Sequence, residues 1–133
     1  MNVEAFILCD AATDYQGKLN VLGAYDTIMC NQVPFVQQGL VFAARIRFRL
    51  EECGTKNFEI LTMDYDGKSV LPKFQVRLEV KLPENRDSGA VNIIVNVQSV
   101  TFSAVGKFRI DLLVDGKITA SLPLEVIKNP NAV

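Results

Sequence analysis

The chain has 133 residues, of which 49% are hydrophobic and 22% are charged, a composition typical of a globular domain and not of a disordered or fibrous segment. Its 14 Lys and Arg residues nearly balance 15 Asp and Glu residues, so no overall field attracts nucleic acid or an anionic membrane. Histidine is absent, which excludes Ser-His-Asp and Cys-His catalysis and His-ligated metals. We therefore predict a single domain over residues 1–133 that is not an enzyme and holds no cofactor.

The compartment is predicted from the N-terminal residues and the cysteines. The first residues, MNVEAFILCDAA, lack the basic region of a secretory signal, and no stretch approaches the ~18 apolar residues of a membrane-spanning helix. Three cysteines, Cys9, Cys30 and Cys53, form an odd set without a CxxC spacing, which argues against a disulfide framework or a zinc site. These features predict a cytoplasmic protein with reduced thiols and no membrane partner.

Apolar and polar residues alternate at a period of two along most of the chain, which is typical of β-strands. Residues 3–12 and 18–30 are apolar on both faces, and they are predicted to be central or covered strands of a sheet. The strand at 41–50 has one apolar face and one face that carries arginines. Further strands are predicted, in order, at 57–65, 74–81, 91–102, 107–114 and 118–126, of which much of 91–102 also has the composition of a central or covered strand.

The turn residues agree with this pattern. Asp66-Gly67 and Asp115-Gly116 each stand between two apolar runs, and both predict two-residue hairpins because Asp and Gly tolerate the positive φ of a type I′ turn. Eight short strands without a credible helix predict an antiparallel β-sandwich of immunoglobulin-like architecture, with a closed β-barrel as the alternative.

Arg45, Arg47 and Arg49 form a stripe about 13 Å long on one strand face, from the ~6.6 Å repeat of every second residue. Guanidinium groups suit phosphate or carboxylate, so the stripe is a candidate face for an anion or a protein partner. If the arginines instead pair with acidic residues on neighbouring strands, the stripe is an ordinary solvated face. Charges along a strand also protect a sheet edge against aggregation, which is a further interpretation of the stripe. The outward positions of this strand face hold no aromatic residue among the arginines, which argues against a nucleic-acid partner.

Four predicted turns carry the acidic residues Asp14, Glu52, Asp87 and Asp115. If eight strands alternate in direction, these turns fall at one end of the sandwich, where their carboxylates could gather around a hard cation such as Ca²⁺. Alternatively, they solvate their turns and bond the local backbone. Their spacing matches no known Ca²⁺ loop, so no metal is assigned and the four are candidates only.

Three stretches resemble a bacterial family of small single-domain proteins of unknown function: FILCDAATDYQGKLNVLGAYDTI (6–28), the arginine-bearing strand 41–50, and GKFRIDLLVDGKITASLPLEV (106–126). The resemblance spans nearly the whole chain and implies a compact β-fold, and it supplies no catalytic residue, cofactor or partner. A shorter stretch, 106–116, is similar to the last hairpin of immunoglobulin-like sandwiches, with Phe108 where a corner aromatic residue often lies.

The sequence therefore favours a binding or assembly module that acts through sheet edges, end loops or the arginine-bearing face. Its expected partner is another protein or a second copy of the chain. The alternative is a small-molecule or cation-binding sandwich that uses the acidic end loops. An unrecognised hydrolase is the third hypothesis.

Overall fold

A computed structural model describes residues 1–131, and this part of the chain is an all-β sandwich, as predicted. The strands are β1 (Asn2–Tyr15), β2 (Lys18–Ala24), β3 (Thr27–Cys30), β4 (Phe35–Arg49), β5 (Gly54–Asp64), β6 (Phe74–Val80), β7 (Ser88–Phe102), β8 (Gly106–Val114) and β9 (Lys117–Lys128), with a 3₁₀ turn at Leu50–Glu52. The first sheet has the order β2-β1-β4-β7 and the second β3-β9-β8-β5-β6. No helix long and apolar enough to cross a membrane occurs in the part that the structure describes.

The predicted strand number of eight is wrong, because the predicted strand 18–30 changes sheets at Tyr25 and Asp26. Before this point β2 pairs with β1 in the first sheet, and after it β3 pairs in parallel with β9 in the second. Neither β2 nor β3 is central, since each forms the edge of its sheet. Within the described residues no ladder joins the two sheets, so the chain is a sandwich and not the alternative closed barrel.

The core lies between the sheets and consists of the apolar strand faces that the alternation predicts. The β4 residues that face this core are Leu40, Phe42, Ala44, Ile46 and Phe48, none more than 2% exposed. They pack against alternating residues of β5 and β8 in one cluster, in which the rings of Phe48 and Phe58 meet edge to face with centroids 6.3 Å apart. Since the inner faces of both sheets meet in this layer, every second residue of β4 faces outward.

One of the two predicted tight hairpins is confirmed. Asp115-Gly116 joins β8 to β9 directly, with φ of 49° and 84°, as a type I′ turn requires. The prediction for Asp66-Gly67 is wrong, because β6 begins only at Phe74. Here the Asp64 carboxylate accepts the backbone N–H groups of Asp66 and Lys68 at 3.0 and 2.9 Å, and this side chain holds a wider turn.

Thr62 places a hydroxyl in the core, where it is 1% exposed and its Oγ1 has no hydrogen-bond partner. A buried polar group without a partner costs ~1–3 kcal/mol. We expect Thr62→Val to raise the free energy of unfolding by about 1 kcal/mol in urea denaturation. Thr119→Val is the control, since its hydroxyl donates to the Leu112 carbonyl at 3.1 Å and its loss should give no gain. Equal effects of the two substitutions would contradict this assignment.

Candidate functional site

The arginine stripe lies on the outer face of the first sheet, where its side chains form intramolecular ion pairs. Glu4 of β1 joins two of them, accepting from Nε of Arg45 at 2.9 Å and from Nε of Arg47 at 2.7 Å. The more exposed Arg49 pairs with Glu51 and Glu52 at 3.3 and 3.4 Å. The structure thus brings the three arginines together and gives each an acidic partner, and a ligand on this face stays a prediction.

The arginines hold the pKa of the Glu4 carboxyl below its ordinary value, mainly through the hydrogen bond from Arg47, against an opposing effect of burial. A carboxyl whose pKa is lowered in the folded state stabilises the fold above its unfolded pKa, and this contribution is lost as the pH falls through the folded value.

We therefore expect the difference in unfolding free energy between the wild type and Glu4→Gln to be constant near neutral pH. It should shrink towards zero as the pH falls below the ordinary carboxyl pKa of 4.5. Urea denaturation at a series of pH values measures this difference. A difference that stays constant into strong acid would show that the charge of Glu4 does not matter.

The β1–β2 hairpin folds back over the outer face of the first sheet. Asn92 of β7 lies across β4 from β1, yet its amide donates to Asp14 Oδ2 at 3.1 Å and to the Gly17 carbonyl at 3.2 Å near the hairpin tip. Arg45 donates to the same Gly17 carbonyl and to Asn92 Oδ1, both at 3.0 Å. Residues 10–24, here called the covering hairpin, therefore cross β4, and Arg45 and Asn92 hold the tip.

The covering hairpin buries a second apolar cluster outside the main core. Cys9, Val41 and Ala43 are 0%, 6% and 0% exposed although they face away from the core. The side chains packed against them are Ile7, Ala12, Leu19, Val21 and Ile94. The outer face of β4 is therefore apolar beneath the hairpin and changes to arginine at the hairpin tip.

Two of the acidic candidate residues have charged or backbone partners close by. Asp14 accepts the Gly17 N–H at 3.0 Å in addition to its bond from Asn92. Glu52 accepts from the amino group of Met1 at 2.6 Å, and this ammonium group is the main cause that lowers the pKa of Glu52 to about 2. Both carboxylates are thus engaged in hydrogen bonds within the chain.

The other two acidic residues also lie in ordinary turn contacts. Asp115 accepts the Asn57 N–H at 2.9 Å and lies 3.6 Å from Lys56 Nζ. The backbone carbonyl of Asp87 accepts the Leu50 N–H at 2.9 Å. Across residues 1–131 no three Cys, Asp or Glu side chains form a group that could hold a metal ion. The predicted alternation of turns also assumed eight strands, and the change of sheets at Tyr25 invalidates it.

Several surface depressions lie around the segment where the chain changes sheets. One of about 370 Å³ is lined by Phe6, Tyr25, Asp26 and Pro123, among others. Burial raises the pKa of Tyr25, and its hydroxyl has no hydrogen-bond partner. The titratable groups in this lining are Tyr25 and Asp26, so the depression offers no pair of carboxylates for acid–base chemistry.

The β7 strand is the feature that the sequence prediction placed wrongly. The sequence predicts a central or covered strand, but β7 forms the edge of the first sheet, and within residues 1–131 it pairs with β4 alone, from Ser88 to Phe102. No Asp, Glu, Lys or Arg stands between Asp87 and Lys107. The apolar residues on both faces of this stretch predict a central or covered strand, whereas β7 is an edge whose outer backbone groups have no partner strand among the described residues.

The other edges of the two sheets carry features that oppose pairing with another chain. Natural edge strands are protected by shortness, charge, proline or irregularity. β3 has only 4 residues, and β2 belongs to the covering hairpin. β6 exposes Arg77 and Glu79, and the part of β9 beyond β3 contains Lys117 and Pro123. β7 is 15 residues long and has neither charge nor proline.

The open part of β7 is limited at both ends. A Cβ atom at Gly89 would collide with the Leu82 side chain, and the covering hairpin reaches Asn92. Towards the other end the regular alternation of buried residues breaks after Val97. The segment between these limits is 93–98, hereafter the β7 edge, in which the Ile94 side chain packs beneath the covering hairpin while the outer backbone groups pair with no strand of residues 1–131. Beside it, the half-buried Val95 lines an apolar seam between the sheets.

Taken together, these features define a two-sheet β-sandwich with one long uncharged edge strand. The chain belongs to DUF6941, a family of unknown function whose model matches residues 4–127, and the predicted membership of such a family is confirmed. Among solved structures it is similar to an immunoglobulin-like protein from Pseudomonas aeruginosa, with 13% identity, a TM-score of 0.39 and 94% of each chain covered. None of the curated proteins compared with the chain matches it.

Proposed function

We propose that the chain is a non-catalytic binding or assembly module that docks its partner at the β7 edge by strand addition. The observation that carries the proposal is the uncharged edge strand, which in the described part of the chain pairs on one side only. An added extended strand bonds the outward backbone N–H and C=O groups, and it gains specificity from alternate side chains.

The contacts of the other candidate surfaces favour the β7 edge over them. The arginine stripe is engaged by Glu4, Glu51 and Glu52, so a ligand there would have to displace intramolecular ion pairs. Asp14, Glu52 and Asp115 likewise accept hydrogen bonds within the chain. Binding at the β7 edge displaces no strand of residues 1–131, because none of them pairs with its outer side.

The chemistry of the available side chains supports a non-catalytic role. The sequence has no histidine, and of its three thiols Cys9 and Cys30 are buried. Burial raises the pKa of Cys9, which disfavours the nucleophilic thiolate.

The proposal is tested by capture with three immobilised baits: the wild type, Asn96→Lys and Gln75→Lys. Asn96 and Gln75 are both exposed positions on edge strands, one on β7 and the other on β6. Lysine on an edge opposes strand addition. The baits are exposed to an extract of the cells that produce the protein, and the bound partner can be another protein or an untagged copy of the chain. The wild type and Gln75→Lys should retain this partner, and Asn96→Lys should lose it.

Two outcomes would overturn the proposal. One is a partner that all three baits retain equally, which would place binding elsewhere on the molecule. The other is the absence of any protein above the level on bare resin.

A further inference from the structure

We infer that the partner at the β7 edge is a second copy of the chain, with two β7 strands paired antiparallel about a two-fold axis near Val95 and Asn96. This inference rests on the proposed function. Joining two such edges would merge the two four-stranded sheets into one continuous sheet with order β2-β1-β4-β7-β7-β4-β1-β2.

The charge pattern of β7 matches the demands of self-pairing. In a two-fold contact each residue near the axis lies beside its own copy, so any charge there meets the same charge. The residues exposed on β7 near the proposed axis are Asn96, Gln98 and Ser99, all of them neutral and able to both donate and accept hydrogen bonds. A partner selected by opposite charge would need a charged residue here, and the strand has none.

The two faces of the sheet also match in such a pair. A two-fold axis perpendicular to the sheet keeps the core side of one copy on the core side of the other, and directly opposed residues of antiparallel strands share a face. With Asn96 opposite its own copy, the half-buried Val95 of each copy would lie opposite Val97 of the other. The apolar seam beside β6 would then continue from one copy into the next.

The experiment is sedimentation of the pure protein over a range of concentrations up to ~100 μM, where a micromolar dimer is nearly saturated. The wild type and the control Gln75→Lys should dimerise alike. Asn96→Lys and Asn96→Asp should each weaken dimerisation at least tenfold, because each places like charges beside one another. An equimolar mixture of these two variants should regain the dimer, since lysine then faces aspartate across the axis.

The inference is overturned if the pure wild type is monomeric at every concentration, if Gln75→Lys dissociates equally, or if the mixture stays monomeric. Should the charged variants fail to fold, Asn96→Cys provides the test: it should form a disulfide-linked dimer on oxidation, and Gln75→Cys should not. A monomeric pure protein that still captures a different protein through the β7 edge would refute the second copy and leave the proposed function standing.

Discussion

Replacing Ala43 with arginine is expected to lower the free energy of unfolding by about 3 kcal/mol and to displace the covering hairpin. Ala43 is fully buried on the outer face of β4, beneath apolar side chains of the hairpin. An arginine side chain at position 43 fits only if the covering hairpin moves away from β4. This movement exposes Leu19 and Val21 to water. Chemical denaturation gives the loss of stability, and hydrogen exchange over residues 10–24 reports the displacement.

The control is Val36→Arg on the same strand, where the native side chain is 50% exposed. Exposed substitutions usually change stability by less than about 0.5 kcal/mol. If Ala43→Arg is tolerated as well as the control, the outer face of β4 is not covered as described.

Replacing Arg45 with alanine is expected to open the covering hairpin and to raise the rate at which Cys9 reacts with a thiol reagent by at least about tenfold, equivalent to 1.4 kcal/mol of local stability. Arg45 bonds the Gly17 carbonyl at the hairpin tip and Asn92 on β7. Cys9 is 0% exposed in the cluster that the hairpin covers. Mass spectrometry after timed labelling measures the rate for each cysteine.

Arg49→Ala is the matched control for this experiment. Arg49 belongs to the same stripe, but its side chain is 64% exposed and pairs only with Glu51 and Glu52 in the adjoining turn. It should leave the Cys9 rate unchanged. Equal acceleration by both substitutions would show that the stripe stabilises the sheet generally and does not hold the hairpin.

The two-sheet fold could be predicted from the sequence because the alternation of apolar residues is a local signal. Phe42, Ala44 and Ile46 face the core as their spacing indicates, and the Asp115-Gly116 turn has the predicted form. The change of sheets at Tyr25 could not be predicted in this way. The composition of residues 18–30 predicts one continuous strand, and tertiary pairing with β1 and β9 divides it into two.

The candidate site depended on tertiary contacts that the sequence does not encode locally. An apolar strand with a neighbour on each side and an uncharged edge strand have the same composition, so β7 was assigned to the wrong position. A usable signal was present in the gap between Asp87 and Lys107, because the other edges of the sheets carry charge or proline or are short.

The arginine stripe was recognisable as a pattern, but its role depends on residues distant in sequence. Glu4 lies 41 residues before Arg45, and Gly17 and Asn92 also reach it only through the fold. The structure therefore favours a role of Arg45 in holding the covering hairpin. The hairpin in turn covers the apolar outer face of β4 and leaves the β7 edge open beyond Asn92.

Hydrogen exchange of the wild-type protein tests most directly whether the β7 edge is the docking edge. We predict that backbone amides of residues 93–98 are protected in the concentrated protein or with its captured partner and lose this protection on dilution, while amides of β6 exchange at the same rate in every sample. Exchange of residues 93–98 that is independent of concentration and partner would contradict the account.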